Sequence, residues 1–157
     1  MKRRSACALL LAAAVASLSP AAMFAAEGLD EAFSRDSIVI ETSTAACYGF
    51  DVYLALTPEQ QRRGLMHVRR LPKFTGMLFA YADDAVHSMW MKNTLIPLDM
   101  LFIRADGSVS SVAPMTEPLS LESVASTEPV RYVLELNGGV AAELGIDAGS
   151  VVYLPEF

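Results

Sequence analysis

The stretch Leu98-Asp99-Met100-Leu101-Phe102-Ile103, then Arg104-Ala105-Asp106-Gly107, then Ser108-Val109-Ser110-Ser111-Val112 decides the fold. Asp-Gly between two strand-like runs is a strong hairpin signal, because both residues tolerate the positive φ of a tight turn. The first run is apolar except for Asp99, so it reads as a strand covered on both faces. Upstream, Ile38 begins a strand. Phe50, Val52, Leu54 and Leu56 alternate with Asp51, Tyr53 and Ala55, the period of a strand with one more polar face. Met77 to Tyr81 follows a Thr75-Gly76 turn, and Ser88 to Lys92 reads as a strand joined to Leu98–Ile103 through Asn93 to Pro97. Downstream come Arg131 to Leu136 and Val151 to Leu154, after a long Ser/Thr/Glu/Pro-rich connection from Pro114 to Pro129 of the kind that serves as a lid, a binding loop or a mobile link. Two short helices interrupt the strands. Thr57-Pro58-Glu59-Gln60 places Thr at the N-cap, Pro at N1 and Gln in capping-box position, with a helix to about Met66. Asn137 is placed to cap a helix through Leu144, with Gly145 as its stop. The expected fold is α+β, mainly β: a compact antiparallel β-barrel-like or covered sheet of about eight strands with two short helices.

The ends of the chain point to a compartment. Met1-Lys2-Arg3-Arg4 is a basic start, Ala6 to Leu18 is almost wholly apolar, and small residues follow from Ser19 to Ala26. That is the pattern of a secretory signal peptide over residues 1–26, with cleavage between about 21 and 26. The apolar run is shorter than the roughly 18 to 20 residues of a spanning helix. Residues 27–37 read as a flexible leader and 38–157 as a single globular domain. The expected location is periplasmic or secreted. Cleavage removes Lys2, Arg3 and Arg4 and no acid, taking the formal charge from −6 to −9. So acidic a domain is a poor match for nucleic acid, and no basic stripe is present. Cleavage also leaves Cys47 as the lone cysteine, unable to form an internal disulfide and expected to be buried and inert.

The chemistry-bearing residues gather around Trp90-Met91-Lys92-Asn93-Thr94 and Asp99. No Gly-rich phosphate loop, dinucleotide fingerprint or paired-cysteine motif occurs. If the flanking strands pair, the Lys92 ammonium reaches the Asp99 carboxylate across the turn. Asn93 and Thr94 then add polar groups at the rim, and Trp90 forms an apolar floor, the mix of a small-molecule pocket. The same geometry also fits an internal ion pair that locks the turn. Glu135 is another acid in an apolar run, and Arg62 falls on the helix side with Leu65 and Met66. His87, Met89 and Met91 are spaced to share a strand face, and thioether with imidazole suits Cu(I). The ends of that triplet lie about 13 Å apart at ~3.3 Å per residue, too far for one ion.

Arg63-Gly64-Leu65-Met66, Gly76-Met77-Leu78-Phe79, Trp90-Met91-Lys92-Asn93-Thr94 with Ile96-Pro97-Leu98-Asp99, and Tyr132-Val133-Leu134-Glu135-Leu136 occur in that order. This set resembles the family known as domain of unknown function 192, over about Val39 to Leu154. The resemblance implies a small, single-domain, often exported prokaryotic protein of compact β-rich fold, with no established activity, cofactor or catalytic residue. Ser150 stands where the family pattern usually has Asp, and Asn137-Gly138-Gly139 departs slightly from its usual form.

The first functional expectation is therefore a secreted binding or accessory domain, without cofactor or metal, taking a small-molecule or protein ligand. Its candidate ligand-binding residues are Trp90, Lys92, Asn93, Thr94, Asp99, Arg63 and Glu135. The alternatives are a carboxylate-based hydrolase or lyase using Asp99, Glu135 and Lys92, and a Cu(I) carrier at His87, Met89 and Met91.

Overall fold

The computed structural model describes residues 28–156. The expected signal peptide lies outside them. Nine strands and three short helices are described: α1 (Leu29–Ala32), β1 (Ser34–Glu41), β2 (Cys47–Ala55), α2 (Pro58–Arg63), β3 (Thr75–Ala85), β4 (Ser88–Met89), β5 (Leu98–Ile103), β6 (Val109–Thr116), β7 (Val124–Ala125), β8 (Val130–Asn137), α3 (Val140–Leu144) and β9 (Val151–Tyr153). The mainly β fold expected from the sequence is what forms. Seven strands build one curled sheet in the order β6-β5-β8-β3-β2-β1-β9, and β4 pairs with β7 in a separate ribbon. Its pairings are antiparallel except β2 with β3, whose crossover is α2 and the turn after it. The Asp106-Gly107 hairpin joins β5 to β6 as expected.

The sheet curls until its two edges touch. Ser108 bridges Val151, the Val109 N–H donates to Ser150 O at 2.8 Å, and the Val152 N–H donates to Gly107 O at 2.8 Å. Alternation along each strand then fills two separate cores. Ile38, Ile40, Phe50, Val52, Leu78, Leu101, Leu134, Leu136 and Val152 pack on the concave side, with Val140 and Ala141 of α3. Tyr53, Ala55, Met77, Phe79, Leu98, Met100 and Val133 point the other way, beneath Leu29, Phe33, Leu65, Val68, Leu71 and Met91. Strands apolar on both faces thus have two layers to cover them.

Four local expectations are corrected. Residues 28–37 are no flexible leader: Leu29 and Phe33 are buried, and β1 pairs with β2 from Ser34 onward. The short apolar pair one helical turn apart was hidden by its polar neighbours. Cys47 is half-buried at the start of β2, not fully buried; Cys7 lies outside the described residues. Ser88 to Lys92 does not pair with Leu98–Ile103. β4 ends at Met89 and binds β7, while β5 lies between β6 and β8. Asn137 does not cap α3; its amide donates to Leu71 O at 2.7 Å and Pro72 O at 3.0 Å.

Candidate functional site

Asp99 and Glu135 are the two acids buried in the central strands, and the register separates them. Asp99 of β5 faces Leu136 of β8, whereas Glu135 faces Met100. One residue of offset puts their side chains on opposite faces of the sheet. Asp99 is 0% exposed. Its Oδ1 accepts from the Met115 N–H at 2.8 Å and the Gly139 N–H at 3.0 Å, and its Oδ2 accepts from the Ala141 N–H at 2.8 Å. A carboxylate on β5 therefore caps the start of α3, satisfying amides that a helix end leaves open. Lys92 is exposed and takes no part. Its Nζ lies 5.0 Å from the centroid of the Trp90 ring. The expected Lys92–Asp99 pair is absent, and with it the Asp99/Glu135/Lys92 acid–base set, which the sheet divides.

Glu135 has the opposite surroundings. It lies between Met77 of β3 and Met100 of β5 in the ladder, and it is 4% exposed. Its Oε2 has no hydrogen-bond partner among the described residues. Burial alone pushes its carboxyl up to about 8, so near neutrality Glu135 is a carboxylic acid with a proton to donate. The acid lines a hollow of about 30 Å³ with Gln61, Arg62, Arg63, Gly64, Leu65, Met66, Phe79, Met89, Trp90 and Thr94. A cleft of about 320 Å³, lined by Pro58, Gln61, Arg62, Tyr81, Ser88, Met89 and Trp90, shares four of those walls. A larger hollow of about 760 Å³ beside Leu56, Arg131 and Tyr132 holds no buried unpartnered group.

The walls are fixed by local chemistry. At the N-cap of α2, Thr57 accepts from the Gln60 N–H at 3.2 Å and Gln60 Oε1 accepts from the Thr57 N–H at 3.1 Å, the expected capping box. Gln61 donates to Ala80 O at 2.8 Å, tying the helix to β3. Gly64 ends α2 at φ 48°, and a Cβ there would lie 3.3 Å from Phe79 Cζ. The chain can thus turn in over the sheet. Arg63 is drawn to the other side, donating to Gly28 O at 2.8 Å with its guanidinium 5.4 Å from the Phe33 centroid. On the facing wall, Asn93 takes φ 58°. Its carbonyl accepts from the His67 N–H at 2.8 Å and its amide contacts Met66 Sδ. Thr94 is buried, and the Pro114–Pro129 connection is laced to it through the Leu119 N–H donating to Thr94 O at 3.0 Å.

Tyr81 stands at the back of the cleft. Its hydroxyl donates to Met89 Sδ at 3.5 Å and its ring stacks on His87 with centroids 3.6 Å apart. Burial first, and Glu135 second, push the phenol up to about 12. Burial lowers the His87 imidazole, against the Asp83 and Val130 carbonyls. Met91 is 1% exposed and its sulfur accepts from Thr116 Oγ1 at 3.2 Å, so it faces the core while Met89 and His87 pack on Tyr81. The regular strand that put His87, Met89 and Met91 on one face does not form.

Of the residues the sequence singled out, Trp90, Thr94, Arg63 and Glu135 come together around the inner hollow. Lys92 and Asn93 flank it, and Asp99 belongs elsewhere. Sequence reasoning missed Tyr81 and Gln61. The one available signal was a tyrosine ending the apolar run from Met77.

The family model DUF192, described as an uncharacterised ACR, matches residues 39–154. A solved structure from Sinorhizobium meliloti 1021, provisionally named a transcription regulator, is 37% identical and superposes with a TM-score of 0.76 over 77% of this chain and 94% of that one. A protein of unknown function from Novosphingobium aromaticivorans DSM 12444 is 32% identical, with a TM-score of 0.75 over 88% of this chain and 100% of that one. No curated protein matches.

Proposed function

The chain belongs to the DUF192 family, and from that premise we propose that it is a small-ligand-binding domain whose site is the cleft floored by Glu135. One observation carries the reading: a carboxyl with an unpartnered Oε2, almost completely buried, lining a hollow beside the chain's single tryptophan. Burying a polar group without a partner costs about 1 to 3 kcal/mol, which a purely structural site would gain by avoiding. A ligand that pairs with the acid recovers it. Strain of this kind concentrates where binding needs it. The name given to the Sinorhizobium protein would bring a nucleic-acid partner. The acidic balance here, 18 acids against 12 bases, opposes a phosphate backbone.

Mapping with small organic solvents tests the site. Acetone and isopropanol titrated into isotope-labelled protein should shift the amides of Gln61, Gly64, Met89, Trp90 and Thr94 first. Shifts confined to the Leu56–Tyr132 hollow would sink the proposal. We also propose export, on the basic and apolar start of the chain. Protein recovered from the periplasm should begin between about residues 22 and 27, and an intact Met1 in the membrane fraction would refute it.

A further inference from the structure

We infer that the ligand is a short organic anion: its charge sits by Arg62 and Lys92 at the mouth, its apolar body lies against Trp90 and Met89, and an acceptor at its far end takes the Glu135 hydroxyl. The inference rests on the binding role proposed above and adds the chemical class.

Size sets the layout. The inner hollow of about 30 Å³ is room enough for a water-sized group, so it admits a terminal carbonyl or hydroxyl. The outer cleft of about 320 Å³ is at the lower end of small-molecule sites, and Pro58, Met89, Trp90 and Tyr81 give it apolar and aromatic walls. A ligand therefore lies with its body outside and one small end inside.

Charge sets the polarity. The whole chain is acidic, yet the charged residues lining the hollows, besides Glu135, are Arg62 and Arg63. Arg63 is held by Gly28 O, leaving the exposed Arg62 as the nearest cation on α2. Lys92 lines neither hollow but rests on the ring of Trp90, which lines both. A basic mouth on an acidic protein draws anions and repels cations. An organic cation also finds the seat on Trp90 already shared with an ammonium.

Proton inventory sets the inner contact. The titratable groups around Glu135 are Tyr81 of β3, with His87 stacked on its ring, and Arg62 and Arg63 of α2. None of them gives its Oε2 a hydrogen bond. The neutral acid offers one donor to a carbonyl. When the acid ionises, that donor is lost and the carbonyl oxygen meets a like charge.

The probes are 5-oxohexanoate, hexanoate and hexylamine, titrated into the purified protein at pH 6.5 and pH 9.5 while Trp90 emission is followed. At pH 6.5, 5-oxohexanoate should bind roughly 10-fold tighter than hexanoate, the worth of one hydrogen bond, and hexylamine should not saturate. Arg62→Ala should weaken 5-oxohexanoate about 10-fold. The oxohexanoate advantage should vanish at pH 9.5, and Glu135→Gln, which keeps a donor, should retain it at both pH values. Tighter binding of hexylamine, or indifference to Arg62→Ala, overturns the anion assignment while leaving the site as a binding site. If none of the probes moves the emission and solvent mapping also misses the cleft, the binding role itself falls.

Discussion

Asp99 and Glu135 lie one register step apart on neighbouring strands, and the sheet gives them opposite fates. Asp99 receives three backbone N–H donors and closes the turn into α3. Glu135 sits between two methionines with an unpartnered oxygen and the proton retained to about pH 8. Both are buried, Asp99 at 0% and Glu135 at 4% exposure. Burial alone therefore says little about a carboxylate; what decides its role is whether the surrounding amides reach it. Asp99 is a fixed joint, and Glu135 is a group whose partner must come from outside.

The largest effect expected is at the joint. Asp99→Ala leaves the Met115, Gly139 and Ala141 amides without their acceptor and should lower stability by about 3 to 5 kcal/mol in urea denaturation. A loss under about 1 kcal/mol would erase the contrast between the acids. Glu135→Gln should do the reverse. The unfolded acid ionises near 4.5 and the native one near 8, so the native state holds the extra proton and stability falls as pH rises through that window. Removing the titration should stabilise the protein by about 2 to 4 kcal/mol at pH 9, with the difference vanishing by pH 4. Thermal melts of both proteins across that range check it, and parallel profiles would contradict the buried-acid reading. Thr57→Ala sharpens the Glu135 side of the comparison. Loss of the capping box should destabilise by about 1 kcal/mol. It should also loosen α2 over the acid, lowering the titration midpoint of Glu135 seen by carboxyl NMR. Smallest is Lys92→Ala, expected within about 1 kcal/mol because a cation on an exposed ring contributes little. A larger loss would show that the Lys92–Trp90 contact is structural.

The strands, the Asp106-Gly107 turn and the Thr57 capping box were legible because each is written within a few consecutive residues. The partners of Asp99 were not. They lie on Met115, Gly139 and Ala141, up to 42 residues away, and amides carry no signature in a sequence. Local reading placed Lys92 against Asp99 because the Asn93–Pro97 turn made them neighbours on paper. Tertiary pairing of β5 with β6 and β8 overrode that proximity. Glu135 was legible as an anomaly, an acid in an apolar strand. Its meeting with Trp90, Thr94 and the α2 end depends on the parallel β2–β3 crossover, which no local pattern announces.

The contact between β6 and β9 bears on how molecules of this protein meet one another. A bare strand edge is a template on which a second chain can add its own strand. Here Gly107 and Val109 on one rim are bonded to Ser150 and Val152 on the other, so the curled sheet offers itself as partner before a neighbour can. If that seam opens, both rims are released together. The short last strand is thus a guard against intermolecular strand addition, at crowded concentrations as much as a contributor to the stability of the single molecule.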